Sequence, residues 1–201
     1  ATLFAAGKFP LLIGGDHSIT IGALEALSRH WENPWVLQFD AHADLRDSYQ
    51  GSPFSHACVM ARARENFSCV QVGIRSWSEE EDARLWEHPE RVFPASEIEE
   101  NPRAAAARLE QVLGDPVYVT LDLDCLDPTC MPATGTPEPG GLGWRSLTRL
   151  LRLVAQRRHV VGCDICELSP IPGFVAPDFL AARLAAKMIA YVFQPRSESG
   201  G

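Results

Sequence analysis

Two observations predict a three-layer α/β fold with a mainly parallel sheet between helices. Short apolar runs alternate with amphipathic helical stretches along the chain. The runs are continuously apolar, as strands covered on both faces must be. No internal repeat and no linker interrupts this pattern, so residues 1–193 read as one domain.

Taken in order, Ala1 to Phe9 reads as the tail of a helix, and Pro10-Leu11-Leu12-Ile13 as a strand stopped by Gly14-Gly15. A helix is expected from about Ser18 to Trp31, then a strand over Trp35-Val36-Leu37-Gln38-Phe39. A loop from Asp40 to about Ser55 leads to a helix near His56 to Glu65 and a strand over Cys69 to Ile74. Ser78 caps a charged helix with acids in its first turn. Arg91-Val92-Phe93 is a short strand, and Ala104 to Leu113 an alanine-rich helix closed by Gly114. Val117 to Leu121 is a strand, followed by a loop rich in Pro, Gly and Thr from Asp122 to Gly143. A helix covers Trp144 to Gln156, a strand His159 to Ile165 and a last helix Phe179 to Phe193. Residues 194–201 read as a disordered tail.

Composition narrows the function. With 46% hydrophobic and 22% charged residues, the 201-residue chain can build a sizeable core. A net charge of -8 argues against a nucleic-acid surface. No apolar run reaches the roughly 18 residues of a membrane span, and Ala1 to Phe9 lacks the pattern of a signal peptide. The six cysteines fall mostly inside apolar runs, which fits reduced thiols in a cytoplasmic protein.

Ligands of parallel α/β sheets bind beyond the carboxyl ends of the strands. Asp40-Ala41-His42-Ala43-Asp44 leaves the second strand; if it runs extended, its two carboxylates and imidazole share a face. Asp122 and Asp124 leave the fifth strand at the same spacing. His17 follows the first strand, Arg75 the third and Glu167 the sixth. Four aspartates and two histidines suit two divalent cations, with manganese, iron, zinc and cobalt all acceptable, and the reaction class is metal-assisted hydrolysis.

The other polar residues receive structural readings. Asp16 and Ser18 cap or support the helix that follows, and Asp127 sits in a turn before Pro128. Cys163-x-x-Cys166 packs in the core, since no second pair of that spacing exists. His30, His88 and His159 lie at element ends without acidic partners nearby, and Arg62 and Arg64 form a solvated helix face.

Six motifs together resemble the ureohydrolase family of arginases and agmatinases, in the family's order and across nearly the whole chain. They are Gly14-Gly15-Asp16-His17-Ser18, Asp40-Ala41-His42-Ala43-Asp44, Ser55-His56-Ala57, Leu121 to Pro128, Gly135 to Leu142 and Asp164-x-x-Glu167-x-x-Pro170. The resemblance implies an arginase-like fold and a binuclear manganese hydrolase that cleaves a guanidino group to urea and an amine. It implies one Mn²⁺ on His17 and Asp44, a second on His42 and Asp124, bridging Asp40 and Asp122, and a bridging hydroxide. It further implies that His56 shuttles protons and that Glu167 holds the substrate guanidinium, while Asp124 or His56 protonates the leaving amine.

The stretch from Gly51 to Met60 lacks the asparagine by which arginases read an α-amino acid, and looks like the Ser-His-Ala stretch of prokaryotic agmatinases. Agmatine, giving putrescine and urea, is therefore the favoured small cationic substrate. Guanidinobutyrate is the alternative, with Arg75 as a candidate partner for its carboxylate. An inactive metal-binding relative is a third reading. The chain starts just before the first metal motif, so the family's N-terminal strands are expected to be absent from the sheet. The trimer or hexamer that the resemblance implies depends on that part.

Overall fold

Residues 1–194 are described in a computed structural model; the expected tail beyond Gln194 lies outside the described residues. Six strands form one sheet: β1 (Leu11–Ile13), β2 (Trp35–Phe39), β3 (Ser68–Ile74), β4 (Val92–Pro94), β5 (Val117–Asp122) and β6 (Val160–Cys166). Their order is β1-β6-β5-β2-β3-β4, and every neighbouring pair is parallel. The helices are α1 (Thr2–Ala5), α2 (Ile19–Ser28), α3 (Val59–Ala63), α4 (Glu79–Leu85), α5 (Ala95–Glu100), α6 (Pro102–Val112), α7 (Trp144–Arg157) and α8 (Ala176–Phe193).

Strand alternation divides the core into two layers. Leu37, Phe39, Val70, Val72, Val119 and Leu121 face the layer holding α5 to α8. Val36, Cys69, Tyr118 and Val161 face the opposite layer, with Leu24 and Leu27 of α2 and Met60 of α3. Each layer is built mainly of apolar side chains, so the strands read as largely apolar runs. Among the described residues no helix is long and apolar enough to cross a membrane.

Local chemistry accounts for the element boundaries. Ser78 and Glu81 close a capping box at the start of α4, and the buried Glu81 also accepts from Leu45 N at 2.8 Å. Asn101 caps α6 by accepting from Ala104 N at 3.1 Å, with Pro102 in the first turn. The helix expected near His56 to Glu65 is shorter: His56–Cys58 is a 3₁₀ turn leading into α3. The short α5 was not anticipated, since its Ser-Glu-Ile-Glu-Glu run offers only the buried Ala95 and Ile98.

Candidate metal centre

Strand order positions the site. β2 continues to β3 on one side, and β5 to β6 on the other, so the chain's direction of travel reverses between neighbours β2 and β5. The crevice beyond such strand ends is where parallel sheets bind ligands. A cavity of about 530 Å³ opens there, and His17, Asp40, His42, Asp44, Asp122, Asp124, His56 and Glu167 all line it.

The motifs converge by turning, which corrects the expectation that they run extended. β2 stops at Phe39; His42 N then donates to Asp40 Oδ1 at 2.6 Å, and Asp44 sits in the left-handed region at φ 54°. Aspartate tolerates that region better than most residues. β5 stops at Asp122, whose Oδ1 accepts from Asp124 N at 2.8 Å as Leu123–Cys125 form a 3₁₀ turn. In each motif the first aspartate caps the turn that brings the later ligand inward.

His17 Nδ1 lies 3.0 Å from Asp44 Oδ2, 3.1 Å from Asp40 Oδ2 and 3.5 Å from Asp122 Oδ2. His42 Nδ1 lies 2.9 Å from Asp124 Oδ2 and 3.6 Å from Asp40 Oδ1. One donor each from His17, Asp40 and Asp44 lie within 4.8 Å of one another, and so do those of Asp40, His42 and Asp124. Asp40 therefore belongs to two cradles that could each hold a cation. Asp122 stands beside the first, in neither group.

Four carboxylates nearly sealed from water face two imidazoles, and their protonation shows the strain. Burial and the Asp40 charge push the Asp44 carboxyl up to about 7. Burial and the charges of Asp124 and Asp40 drive Asp122 well above the usual carboxylate range. Burial would lower His42, but its bonds to Asp124 and Asp40 outweigh that and hold it up to about 11. Burial would raise Asp40 as well, but the hydrogen bonds and charges of His17 and His42 outweigh it and hold that carboxyl well below the usual range. Four carboxylates and two imidazoles fit two divalent ions in charge and ligand type.

Support for His17 comes from beneath. Its Nε2 meets Thr120 Oγ1 at 2.8 Å, and Thr120 donates to Asp164 Oδ1 at 2.7 Å. Tyr118 OH donates to the other Asp164 oxygen at 2.9 Å. Because the Thr120 proton goes to Asp164, Thr120 accepts from His17 Nε2, which leaves Nδ1 as the ring nitrogen facing the carboxylates and able to ligate a cation among them. Asp164 stands in one of the sequence motifs, yet its place under the site depends on the register between β5 and β6.

Glu167 and His56 flank the cluster. Glu167 Oε1 accepts from His17 N at 2.7 Å, and its own N donates to Gly15 O at 2.8 Å; its φ is 65°. His56 is exposed, with its ring 5.5 Å from that of Tyr49. Burial raises the Glu167 carboxyl above its ordinary value, opposed by the His17 amide.

Several sequence readings are corrected. Arg75 cannot meet a substrate carboxylate: its guanidinium donates to carbonyls of Asp124 at 2.8 Å, Glu138 at 2.6 Å, Pro139 at 3.1 Å and Gly73 at 3.1 Å. It ties the 124–139 loop to β3 instead. Arg64 is only partly solvated, since it is half-buried and donates to Gln71 Oε1 at 2.8 Å. Arg62 pairs with Glu65 at 3.0 Å, and His88 has Glu90 at 3.6 Å. Asp127 holds Gly140 N at 2.9 Å and Gly141 N at 3.1 Å, as a turn residue should. All six cysteines are free, and Cys163 and Cys166 are buried. Tyr49, Arg46, Trp77 and Glu81 also line the cavity and were not anticipated, because nothing near them in sequence marks them.

The Arginase family model matches residues 1–192. The chain is 41% identical over 187 residues to the N(1)-aminopropylagmatine ureohydrolase of Synechocystis, covering 92% of this chain and 61% of that protein. It is 40% identical over 167 residues to the agmatinase of Pyrococcus horikoshii, covering 80% and 54%. The crystal structure of the agmatine ureohydrolase of Thermoplasma volcanium superposes with a TM-score of 0.82 at 34% identity, covering 95% of this chain and 64% of that one. The chain spans about three fifths of the length of the curated relatives it matches. Matched along almost all of its length, the chain belongs to the arginase family.

Proposed function

We propose that the chain carries the catalytic centre of a ureohydrolase that splits a guanidino compound into urea and an amine, with two Mn²⁺ as cofactor. The observation that carries this reading is the sharing of Asp40 between two cradles, His17–Asp40–Asp44 and Asp40–His42–Asp124, with Glu167 beside them. His17 and Asp44 would hold one ion and His42 and Asp124 the other, with Asp40 and Asp122 between them. When bound, such ions supply the Lewis acidity that turns water into a hydroxide nucleophile near neutral pH.

The chain's own residues do the rest. The Glu167 carboxylate, oriented by the His17 amide, accepts N–H bonds from the planar guanidinium and turns its carbon toward the aspartates. Water adds at that carbon, the C–N bond to the alkyl chain breaks, and the amine leaves with a proton. His56 or Asp124 delivers that proton, and the exposed His56 is placed to exchange it with solvent.

Agmatine is the favoured substrate, giving putrescine and urea. Relatives named for agmatine and for its aminopropyl derivative support that class, and Arg75, the sequence's candidate partner for a substrate carboxylate, is spent on carbonyls. N1-aminopropylagmatine is the second reading, favoured by the Synechocystis relative. Assembly into a homo-oligomer belongs to the same proposal. Urea release from agmatine, N1-aminopropylagmatine, arginine and guanidinobutyrate, measured in parallel after Mn²⁺ loading, tests it. Release confined to the first two is expected; preference for arginine or guanidinobutyrate would overturn the assignment.

A further inference from the structure

One rung of the sheet is polar across the four central strands. Gln71 of β3, Gln38 of β2, Thr120 of β5 and Asp164 of β6 are register partners on the same face, and all four are fully buried. The apolar rung one step below, Cys69, Val36 and Tyr118, shows what the sheet would otherwise place there. The Thr120–Asp164 half supports His17. The Gln71–Gln38 half runs toward Asp40.

Its hydrogen bonds all point one way. Arg64, a donor only, gives an N–H to Gln71 Oε1 at 2.8 Å. Gln71 Nε2 donates to Gln38 Oε1 at 2.6 Å and to the Ala43 carbonyl at 2.8 Å. Gln38 Nε2 donates to Asp40 Oδ2 at 2.7 Å. An arginine at one end and acceptor-only carbonyl and carboxylate groups at the other leave neither amide free to flip. Asp40 Oδ1 is meanwhile held by His42 N at 2.6 Å. Each oxygen of Asp40 thus has one lone pair occupied by a fixed donor, and one left to face a cradle.

We infer that Arg64, Gln71 and Gln38 form a polarised relay that sets the orientation of Asp40, so that its two oxygens serve two cations at once. The inference rests on the two-cation reading above. All three are positioning residues: none touches a cation or substrate, and Arg64 acts through two intervening side chains. Outer partners of this kind commonly change metal affinity by about 10–100-fold.

The test is Mn²⁺ calorimetry on the full chain, joined to the electron paramagnetic resonance signal of a spin-coupled Mn²⁺ pair. Gln38→Met keeps the length of the side chain and removes its donor. Arg64→Met, whose side chain lies away from the cradles, removes the head of the relay, and Arg64→Lys restores a donor. Gln38→Met is expected to weaken Mn²⁺ binding roughly 10–100-fold and to diminish the coupled-pair signal. Arg64→Met should weaken binding less but measurably, with partial recovery in Arg64→Lys. If Gln38→Met does not fold, the Arg64 pair decides. Parent-like affinity and signal in Arg64→Met, with only its unfolding midpoint lowered, would make the chain a structural device and overturn the inference. A parent chain that takes up no Mn²⁺ would overturn the two-cation reading itself, whereas a parent with two ions and indifferent variants would overturn only the relay.

Discussion

Replacing Glu167 separates substrate binding from metal binding. One of its oxygens already accepts from the His17 amide at 2.7 Å, which leaves it one lone pair and the other oxygen both for a guanidinium. A charge-assisted hydrogen bond contributes about 1.5–3 kcal/mol against roughly 0.5–1.5 for a neutral one. Glu167→Gln keeps the shape and loses the charge, so kcat/KM should fall about 5–30-fold, the equivalent of about 1–2 kcal/mol. Glu167→Ala also removes the acceptor for the His17 amide, and should cost about 2–3 kcal/mol, or roughly 30–150-fold. Position 167 has a φ of 65° in the parent, and glutamate, glutamine and alanine are all strained there, so backbone strain does not separate the variants. Steady-state urea release alongside Mn²⁺ content is the assay. Both variants should retain two ions per chain. Parent-like kcat/KM would show that Glu167 does not hold the guanidinium, and loss of an ion would place it among the ligands.

Other variants probe the surrounding structure. Asp122→Ala should reduce Mn²⁺ content to one ion per chain or none; two tightly held ions in that variant would refute a bridging Asp122. Arg75→Met leaves the carbonyls of Asp124, Glu138 and Pro139 without their donor, and should cost about 2–4 kcal/mol, lowering Tm by roughly 5–15 °C. A Tm within about 2 °C of the parent would contradict that tether. Asp127 is held down to about 2 by hydrogen bonds from the Thr129 hydroxyl and amide and from Gly141 and Gly140. A depressed folded pKa stabilises the protein above the ordinary carboxylate value, and the gain is lost as pH falls from about 4 to 2. With solvent screening at this partly exposed group the gain is about 1 kcal/mol. The stability difference between parent and Asp127→Asn, read by chemical denaturation, should vanish near pH 2; a difference unchanged with pH would refute the account.

The succession of strands and of every helix but α5, and the aspartates and histidines of the two cradles, were readable from sequence, while Asp16, read as a helix cap, also lines the cavity. Charged residues that directly follow apolar runs mark the carboxyl ends of strands, and Asp40, Asp122 and Glu167 all do so. What escaped the sequence depends on contacts between distant segments. Gln38, Gln71 and Thr120 lie inside strand runs and count there as buried positions, and only strand register puts them side by side under the site. Glu81 passes for one more acid in a helix first turn, although it is buried and fastens Leu45. Arg75 and Arg64 look like free cations until their carbonyl and amide partners are seen. The extended geometry expected for residues 40–44 failed because a capping aspartate turns the backbone more readily than it prolongs a strand.

Titrating metal-free protein with Mn²⁺ while following urea release from agmatine tests the two-ion hydrolase as a whole. Turnover should stay near zero through the first equivalent and climb to a plateau at the second. Full turnover at one equivalent, turnover in excess chelator, or no urea with two ions bound would contradict it.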